Sequence, residues 1–533
     1  MEAKPWEKGI YKYSGYLETS IGPIEVQLRL NGLDKPPSIR LIEVPEILQP
    51  ISPHIGAQGS LCYTASGSIA MDIFNPASQV LACIKRAEEV LSQVLEGKRF
   101  HDLADEFFVY WFSLSGVVFL DTKNTNSQYA AALAITDKDG EITSGIILTD
   151  DRERSLKKIA AIGCGITEYG FGACIIATDA IPMPLTNSAN WPPSTINELV
   201  SWQRDLDPNC SKKILRRLKH LYEQSKFAAL ILISSPTAKY SGFITFPEQK
   251  TTIKSRNHAR KKLGSTRVTI MNTVRIDDAY IVERNQPGRR NLIGMKLLLI
   301  GAGAIGGYLA DLLVKSGAGL GEGRFVILDT ESLAEGNLGR HRLGFESLHQ
   351  QKSQALATQL KVSFPTANVE GMSIDAKTYP LTGFDLIVNA TGEQSLSDWL
   401  SAQLNQNCFT PILHAWIEGS GTVARTMLQS AKGKACYRCL ADHQRDALYP
   451  ATHEPYNMKI AGHGCEGLYV PFPATAAVFA ASLAATHILE WMNAEESPAL
   501  RTILLDRHYH LLTPDQDPSK QSGCPACHTI TNG

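Results

Sequence analysis

A chain of several domains, mixing α/β and α+β architecture, is what this sequence predicts, and three observations predict it. At 533 residues it is too long to fold around one hydrophobic core. Near the N-terminus, short strand-like runs precede one long amphipathic helix, which is the pattern of an α+β domain. From about residue 275, apolar strands alternate with helices, which is the pattern of a parallel, doubly wound sheet. The expected domains are 1–118, 119–275 and 276–533.

In the first domain "IEVQLRL" (24–30) and "SIRLIEV" (38–44) read as strands. A loop rich in Pro and Gly follows, "EVPEILQPISPHIGAQGSLCY". The spacing then predicts a helix over 76–98, with Val80, Cys83, Ile84, Ala87, Val90, Leu91 and Val94 on one stripe. The middle domain mixes strands at 131–137, 173–179 and 227–235 with a polar helix at 212–224, and it offers no chemical motif. The last domain places strands at 296–301, 324–329 and 384–391. Its most apolar stretch, "ATAAVFAASLAATHILEW" (474–491), carries Thr, Ser, His and many alanines, as a buried helix does rather than a membrane span.

Composition narrows the function classes. A net charge of -1 argues against nucleic acid or an anionic membrane as the main partner. The first residues, "MEAKPWEKGIYKYSGY", lack a signal-type apolar run, so the expectation is a cytoplasmic protein. Eleven cysteines in that setting point to metal binding or thiolate chemistry rather than disulfides.

The stretch "LLLIGAGAIGGYLADLLVKSG" (297–317) is a strand, a glycine turn and a helix. Gly301, Gly303 and Gly306 let backbone approach a phosphate, and the helix beginning near Ile305 turns its positive end toward it. Asp329, closing the next strand, is placed to accept hydrogen bonds from a ribose. A dinucleotide and ATP remain equally open at this point. Asn337, Arg340 and Lys352 separate them, because hydride transfer has no use for two cations and an amide so close behind the carboxylate. Cleaving ATP between its α- and β-phosphates does, since negative charge builds on the leaving pyrophosphate.

With these residues in this order, the region from about 275 to 530 resembles the ThiF-like, Rossmann-like adenylation domains of ubiquitin-activating enzymes and of bacterial activators of sulfur carriers. The resemblance implies ATP and Mg2+ as cofactors, Asp329 on the ribose, and Asn337, Arg340 and Lys352 on the phosphates. It also implies a homodimer in which an arginine reaches the neighbouring site, with Arg284, Arg289 and Arg290 as candidates. The family's magnesium-holding acidic residue is replaced by Gly392 in "NATGEQ", which leaves Glu393 as the substitute.

The pairs Cys436/Cys439 and Cys524/Cys527 form a CxxC…CxxC set suited to one tetrahedral, structural Zn2+, the alternative being unrelated free thiols. Cys465 lies between the pairs in "AGHGCEG", on what reads as an exposed loop. Its position resembles that of the thioester cysteine of activating enzymes, the alternative being a plain exposed thiol. In the N-terminal domain Ser52-Pro53-His54 precedes Cys62, which follows His54 by eight residues. That arrangement resembles the His-Pro-Asn turn and thioester cysteine of ubiquitin-conjugating enzymes, with His54 where the family has Asn. The likeness implies that His54 donates to the oxyanion formed when a lysine attacks; an inert strand-end cysteine is the alternative.

A conjugating-like domain joined to an activating domain resembles the bacterial fusions that accompany cGAS-like nucleotidyltransferases in CBASS antiphage operons. That implies adenylation of a protein C-terminus, either of a cGAS-like nucleotidyltransferase or of a ubiquitin-like protein. Acyl transfer to Cys465 and then Cys62 would follow, and ligation to a target lysine. The alternatives are an activator of a ubiquitin-like sulfur carrier, a nucleotide-dependent redox enzyme, and a scaffold with degenerate sites.

Overall fold

The computed structural model describes residues 10–527 apart from 66, 186–190, 225, 248–262, 408, 457, 459, 463–468 and 496. It divides into two compact units, one of residues 1–151 with 164–274 and the other of residues 152–163 with 275–533.

The first unit opens with an antiparallel sheet of β1 (Ile10–Thr19), β2 (Gly22–Asn31), β3 (Ser38–Leu41) and β4 (Ser60–Leu61), in that order. Helix α1 (Pro76–Leu95) lays Cys83, Ala87, Val90, Leu91 and Val94 against Leu17, Ile24, Val26, Leu28 and Ile39 of the sheet. The expected stripe is thus the buried one, joined by Leu95, while Val80 and Ile84 sit at its edge. Strand β1 was not expected from the sequence, because Tyr11, Tyr13 and Tyr16 lie on its exposed positions and blur the alternation. Two short helical turns follow, α2 (Asp102–Asp105) and α3 (Phe107–Tyr110).

The rest of this unit is a strand ring. It uses β5 (Val117–Asp121), β6 (Gln128–Thr136), β7 (Ile142–Thr149), β8 (Gly165–Thr167), β9 (Gly172–Ala177), β10 (Ala228–Ser234), β11 (Lys239–Thr245) and β12 (Val268–Arg275). Their order is β7-β5-β12-β11-β10-β9-β6-β8, and a further β6–β7 pairing closes the ring. Alternation along β10 shows its two faces. Ala228, Leu230 and Leu232 join one apolar cluster with Val118, Leu120 and Leu148. Ala229, Ile231 and Ile233 join another, covered by the helices at Ile196–Leu206 and Pro208–Glu223.

The second unit is built on β13 (Lys296–Ile300), β14 (Arg324–Leu328), β15 (Val369–Met372), β16 (Leu386–Asn389), β17 (Ile412–Glu418), β18 (Val423–Gln429) and β19 (Leu500–Leu504). The order is β15-β14-β13-β16-β17-β18-β19, parallel through β17 and antiparallel beyond it. Both faces are covered, as a doubly wound sheet requires. The helices at Ala304–Lys315, Lys352–Ser363 and Ala474–Met492 pack into one apolar cluster, and the helix at Gln394–Gln406 packs into the other. The helix at 474–492 is long and apolar enough to cross a membrane, yet Ala477, Ala480, Ala481, Ala484 and Ile488 are in the core beside β17 and β18.

Candidate functional site

The ladder β13–β14 ends where the chain turns back at Gly301, with φ +94°. A side chain there would strike Thr391, and a Cβ on Gly306 would lie 1.8 Å from the Gly301 carbonyl oxygen. Glycine at both positions is what lets the helix start directly above the strand. A Cβ on Gly303 meets no atom within 4 Å. Gly301 and Gly303 line a cleft of about 470 Å³ together with Asp329, Glu331, Asp375, Lys377, Thr391, Glu393 and Phe472.

Asp329 braces this turn from below. One carboxylate oxygen accepts from the Ala302 amide at 2.7 Å and the other from the Glu331 amide at 2.8 Å. His341, which sequence reasoning missed, holds the same loop from the side. Its Nε2 lies 2.7 Å from the Ala302 carbonyl and its Nδ1 accepts from the Leu343 amide at 3.0 Å, which makes Nε2 the protonated nitrogen. Burial, more than any neighbour, holds this imidazole below its ordinary pKa, so it stays neutral.

Two of the three phosphate candidates, Arg340 and Lys352, touch residues that line the cleft. Arg340 stacks over Phe472 at 4.6 Å and Tyr469 at 5.5 Å. Lys352 is buried and ion-paired with Glu331. Asn337 caps a short turn by accepting from the Ala334 amide at 3.1 Å. Gly392 adopts φ +72°, a conformation that an acidic side chain would strain, and Glu393 follows it into the cleft lining. Of the trans candidates, Arg289 is ion-paired with Glu495 and Arg284 lies 6.0 Å over Tyr280; the Arg290 amide donates to Asn493.

The four paired cysteines come together although 84 residues separate the two motifs, Cys439 to Cys524 being 85 positions apart. All four sulfurs lie within 4.8 Å of one another, with Sγ–Sγ distances of 3.8 Å (Cys436–Cys439), 3.8 Å (Cys436–Cys524) and 3.5 Å (Cys439–Cys527). Tetrahedral zinc with Zn–S bonds of about 2.3 Å needs sulfurs about 3.8 Å apart, so the residues present suit that ion. Cys465 lies outside the described residues.

In the first unit, Cys62 is exposed at the end of a tight loop. Its amide donates to the His54 carbonyl at 2.7 Å, and His54 itself has φ +63°. The His54 ring is clasped by acids, with Nε2 2.8 Å from Asp102 and Nδ1 3.2 Å from Glu106. Nε2 is therefore committed to Asp102, and oxyanion donation from His54 would require the ring to leave that partner. Partial burial, then the charge of Glu106, push the Cys62 thiol above its ordinary pKa, against a smaller opposing effect of a hydrogen bond with the Thr64 backbone. Burial alone would raise Asp102, but hydrogen bonds from His54 and Arg99 outweigh it and hold that carboxyl below its ordinary range. Sequence reading missed Asp102 and Glu106, since they lie 48 and 52 residues from His54.

Comparisons with known proteins agree with this division of the chain's chemistry. The ThiF family matches residues 280–526 and the Prokaryotic E2 family B matches residues 11–120. An ATP-dependent ubiquitin transferase-like protein Cap2 from Pseudomonas aeruginosa is 39% identical over 508 residues, covering 95% of this chain and 92% of the relative. The Escherichia coli protein of that name is 24% identical over 97% of this chain and 93% of its own length. The Vibrio cholerae one is 27% identical over 74% and 71%.

Proposed function

Because the chain belongs to the Cap2 family of ATP-dependent ubiquitin transferase-like proteins, we propose that it uses ATP bound over Gly301–Gly306 to adenylate the C-terminus of a partner protein. It is an activating and conjugating enzyme. The partner's carboxylate forms a bond to the α-phosphorus and pyrophosphate leaves. The Cys465 sulfur then takes the acyl group and releases AMP. Cys62 accepts it by thioester exchange, and a target lysine receives it as an amide.

What supports ATP over a dinucleotide is the pair of cations, Lys352 and Arg340, held against Glu331 and Phe472 of the cleft lining. Asp329 would take the ribose once the nucleotide is in place, and Asn337 the phosphates. Mg2+, held by Glu393 and the phosphates, would neutralise the developing charge. The acyl donor we assign is the C-terminus of a cGAS-like nucleotidyltransferase in antiphage defence, an assignment resting on the likeness to CBASS fusions. The reading includes a homodimer through the domain 276–533, with the domain 1–118 as the conjugating part. It places the enzyme in the cytoplasm, where Cys62 and Cys465 remain thiols. The test is ATP–pyrophosphate exchange with the partner present. Exchange dependent on ATP and Mg2+ is expected, and tight NAD binding without exchange would sink the reading.

Zn2+ belongs to the same proposal. Metal analysis should find one zinc per chain, and Cys436→Ser or Cys527→Ser should lose it. Four thiolates leave no open coordination position, so stability should fall before chemistry does. A metal-free protein of unchanged stability and activity would refute the site.

A further inference from the structure

We propose that Phe107 and Trp111 are positioning residues for acyl transfer at Cys62, anchored in the aromatic core of the strand-ring region so that Glu106 and Tyr110 press against the turn carrying the cysteine. The inference rests on the reading of Cys62 as the second acyl carrier, and it gives residues 119–275 a role.

The segment 106–111 is a short helical stretch with two working faces. Residues 107 and 111 point to one side. Phe107 is 1% exposed and Trp111 2%. Phe107 stacks on Trp202 at 6.2 Å with 10° between the ring planes, and Trp111 stacks on the same indole at 5.4 Å and 28°. Tyr240 meets both edge-on, at 5.0 and 5.1 Å. The receiving rings are themselves fixed, Trp202 by donating to the Met183 carbonyl at 2.9 Å and Tyr240 by accepting from Gln203 at 2.9 Å. Close-packed rings with pinned polar ends leave one position for the helix.

Residues 106 and 110 face the turn. Glu106 accepts from the His54 amide at 3.0 Å and lies 3.2 Å from its Nδ1. Tyr110 donates to the Ser52 carbonyl at 2.8 Å. His54 is held in the left-handed region, which is uncommon for a non-glycine residue and persists only where neighbours hold it. The His54 carbonyl in turn receives the Cys62 amide, so two hydrogen bonds separate Glu106 from the cysteine backbone. The charged or titratable groups facing this turn include His54, Asp102 with its partner Arg99, Glu106, Tyr110 and Arg40, which donates to the Gln58 carbonyl at 2.6 Å. In the transfer itself the lysine nitrogen bonds to the acyl carbon. The C–S bond then breaks with its electron pair going to Cys62, and the nitrogen's proton leaves to water. A loosened turn would misplace the thioester for that attack.

The experiment uses the full-length chain and needs no acyl chemistry for its first readout. The rate of Cys62 alkylation by iodoacetamide is followed against pH, with the modified peptide resolved by mass spectrometry. Glu106→Gln should raise the rate near pH 8 about threefold, because the carboxylate beside the thiol disfavours its thiolate. Trp111→Leu and Phe107→Leu should move it the same way by releasing Glu106, and Trp111→Phe should restore the wild-type profile. If Trp111→Leu does not fold, Trp191→Ala, which trims a ring 6.1 Å from Trp111, should give a smaller shift of the same sign. The second readout is single-turnover transfer from a preformed Cys62 thioester, expected to slow about tenfold in Trp111→Leu while pyrophosphate exchange is unchanged. A folded Trp111→Leu protein with wild-type alkylation and transfer would overturn the positioning role. Failure of the wild-type chain to form any Cys62 thioester would overturn the reading beneath it instead.

Discussion

Cys62→Ala is expected to accumulate a reductant-sensitive adduct on Cys465 while ligation to the target lysine falls to background. The direction follows from the order of bond changes. Adenylation uses a carboxylate and a phosphorus and needs no thiol. The first thioester needs one thiol, and the amide needs a thioester held beside an amine. Cys465→Ala should accordingly form adenylate, exchange pyrophosphate, and stop before any covalent intermediate. The elevated pKa of Cys62 adds a pH dependence. Burial and Glu106 disfavour its thiolate, so capture of the acyl group should quicken as pH rises past the ordinary cysteine range. His54→Ala should slow the last step without abolishing the Cys62 thioester. Non-reducing gels with ATP, the partner and each variant separate these cases. Ligation at the normal rate from Cys62→Ala would mean that residues 1–118 do not conjugate.

The doubly wound unit was legible because β13, β14 and β16 are nearly continuous apolar runs and its turn needs glycine for steric reasons, as the 1.8 Å approach at Gly306 makes plain. Helix α1 was legible for a similar reason, an apolar stripe at helical spacing. Strand β1 was hidden by its exposed tyrosines, and the closed ring of residues 117–275 was hidden because ring closure is a property of pairing, not of any one strand. Pattern along the chain reports which face is buried, and says little about which strand lies next to which.

The cysteine pairs, the glycines and the three phosphate candidates stood out because their chemistry requires fixed residue types at short spacing. The groups that surround them did not. His341 braces the glycine loop from 39 residues away, and Asp102 and Glu106 reach His54 across about half a domain. Nothing local marks such residues, because an acid in a short helix or a histidine in a loop is ordinary until the fold brings it to a partner. Gly392 was legible as a departure but not as a cause. Its φ of +72° supplies one, since the backbone there suits glycine, and Glu393 next to it lines the cleft.

Lys352→Met and Glu331→Gln should push nucleotide use in opposite directions. Lys352 is buried with its ammonium paired to a carboxylate that is itself 71% exposed. The apolar stem keeps its packing in methionine, so the loss in Lys352→Met is mainly that of the charge. Removing one donor aimed at developing negative charge commonly costs about 10²–10³ in rate, and adenylation should slow by that order. Glu331 holds the same ammonium, and in the proposed reading a phosphate oxygen takes its place when ATP binds. Glu331→Gln removes the competitor. The exposed side of the pair limits the stability lost to about 1 kcal/mol or less. The apparent affinity for ATP should rise several-fold, with little change in the rate from saturated enzyme. Titration with a non-hydrolysable ATP analogue, alongside pyrophosphate exchange, separates binding from chemistry. Equal weakening of analogue binding in both variants would mean that Glu331 helps to hold the nucleotide, and the exchange of partners at Lys352 would be wrong.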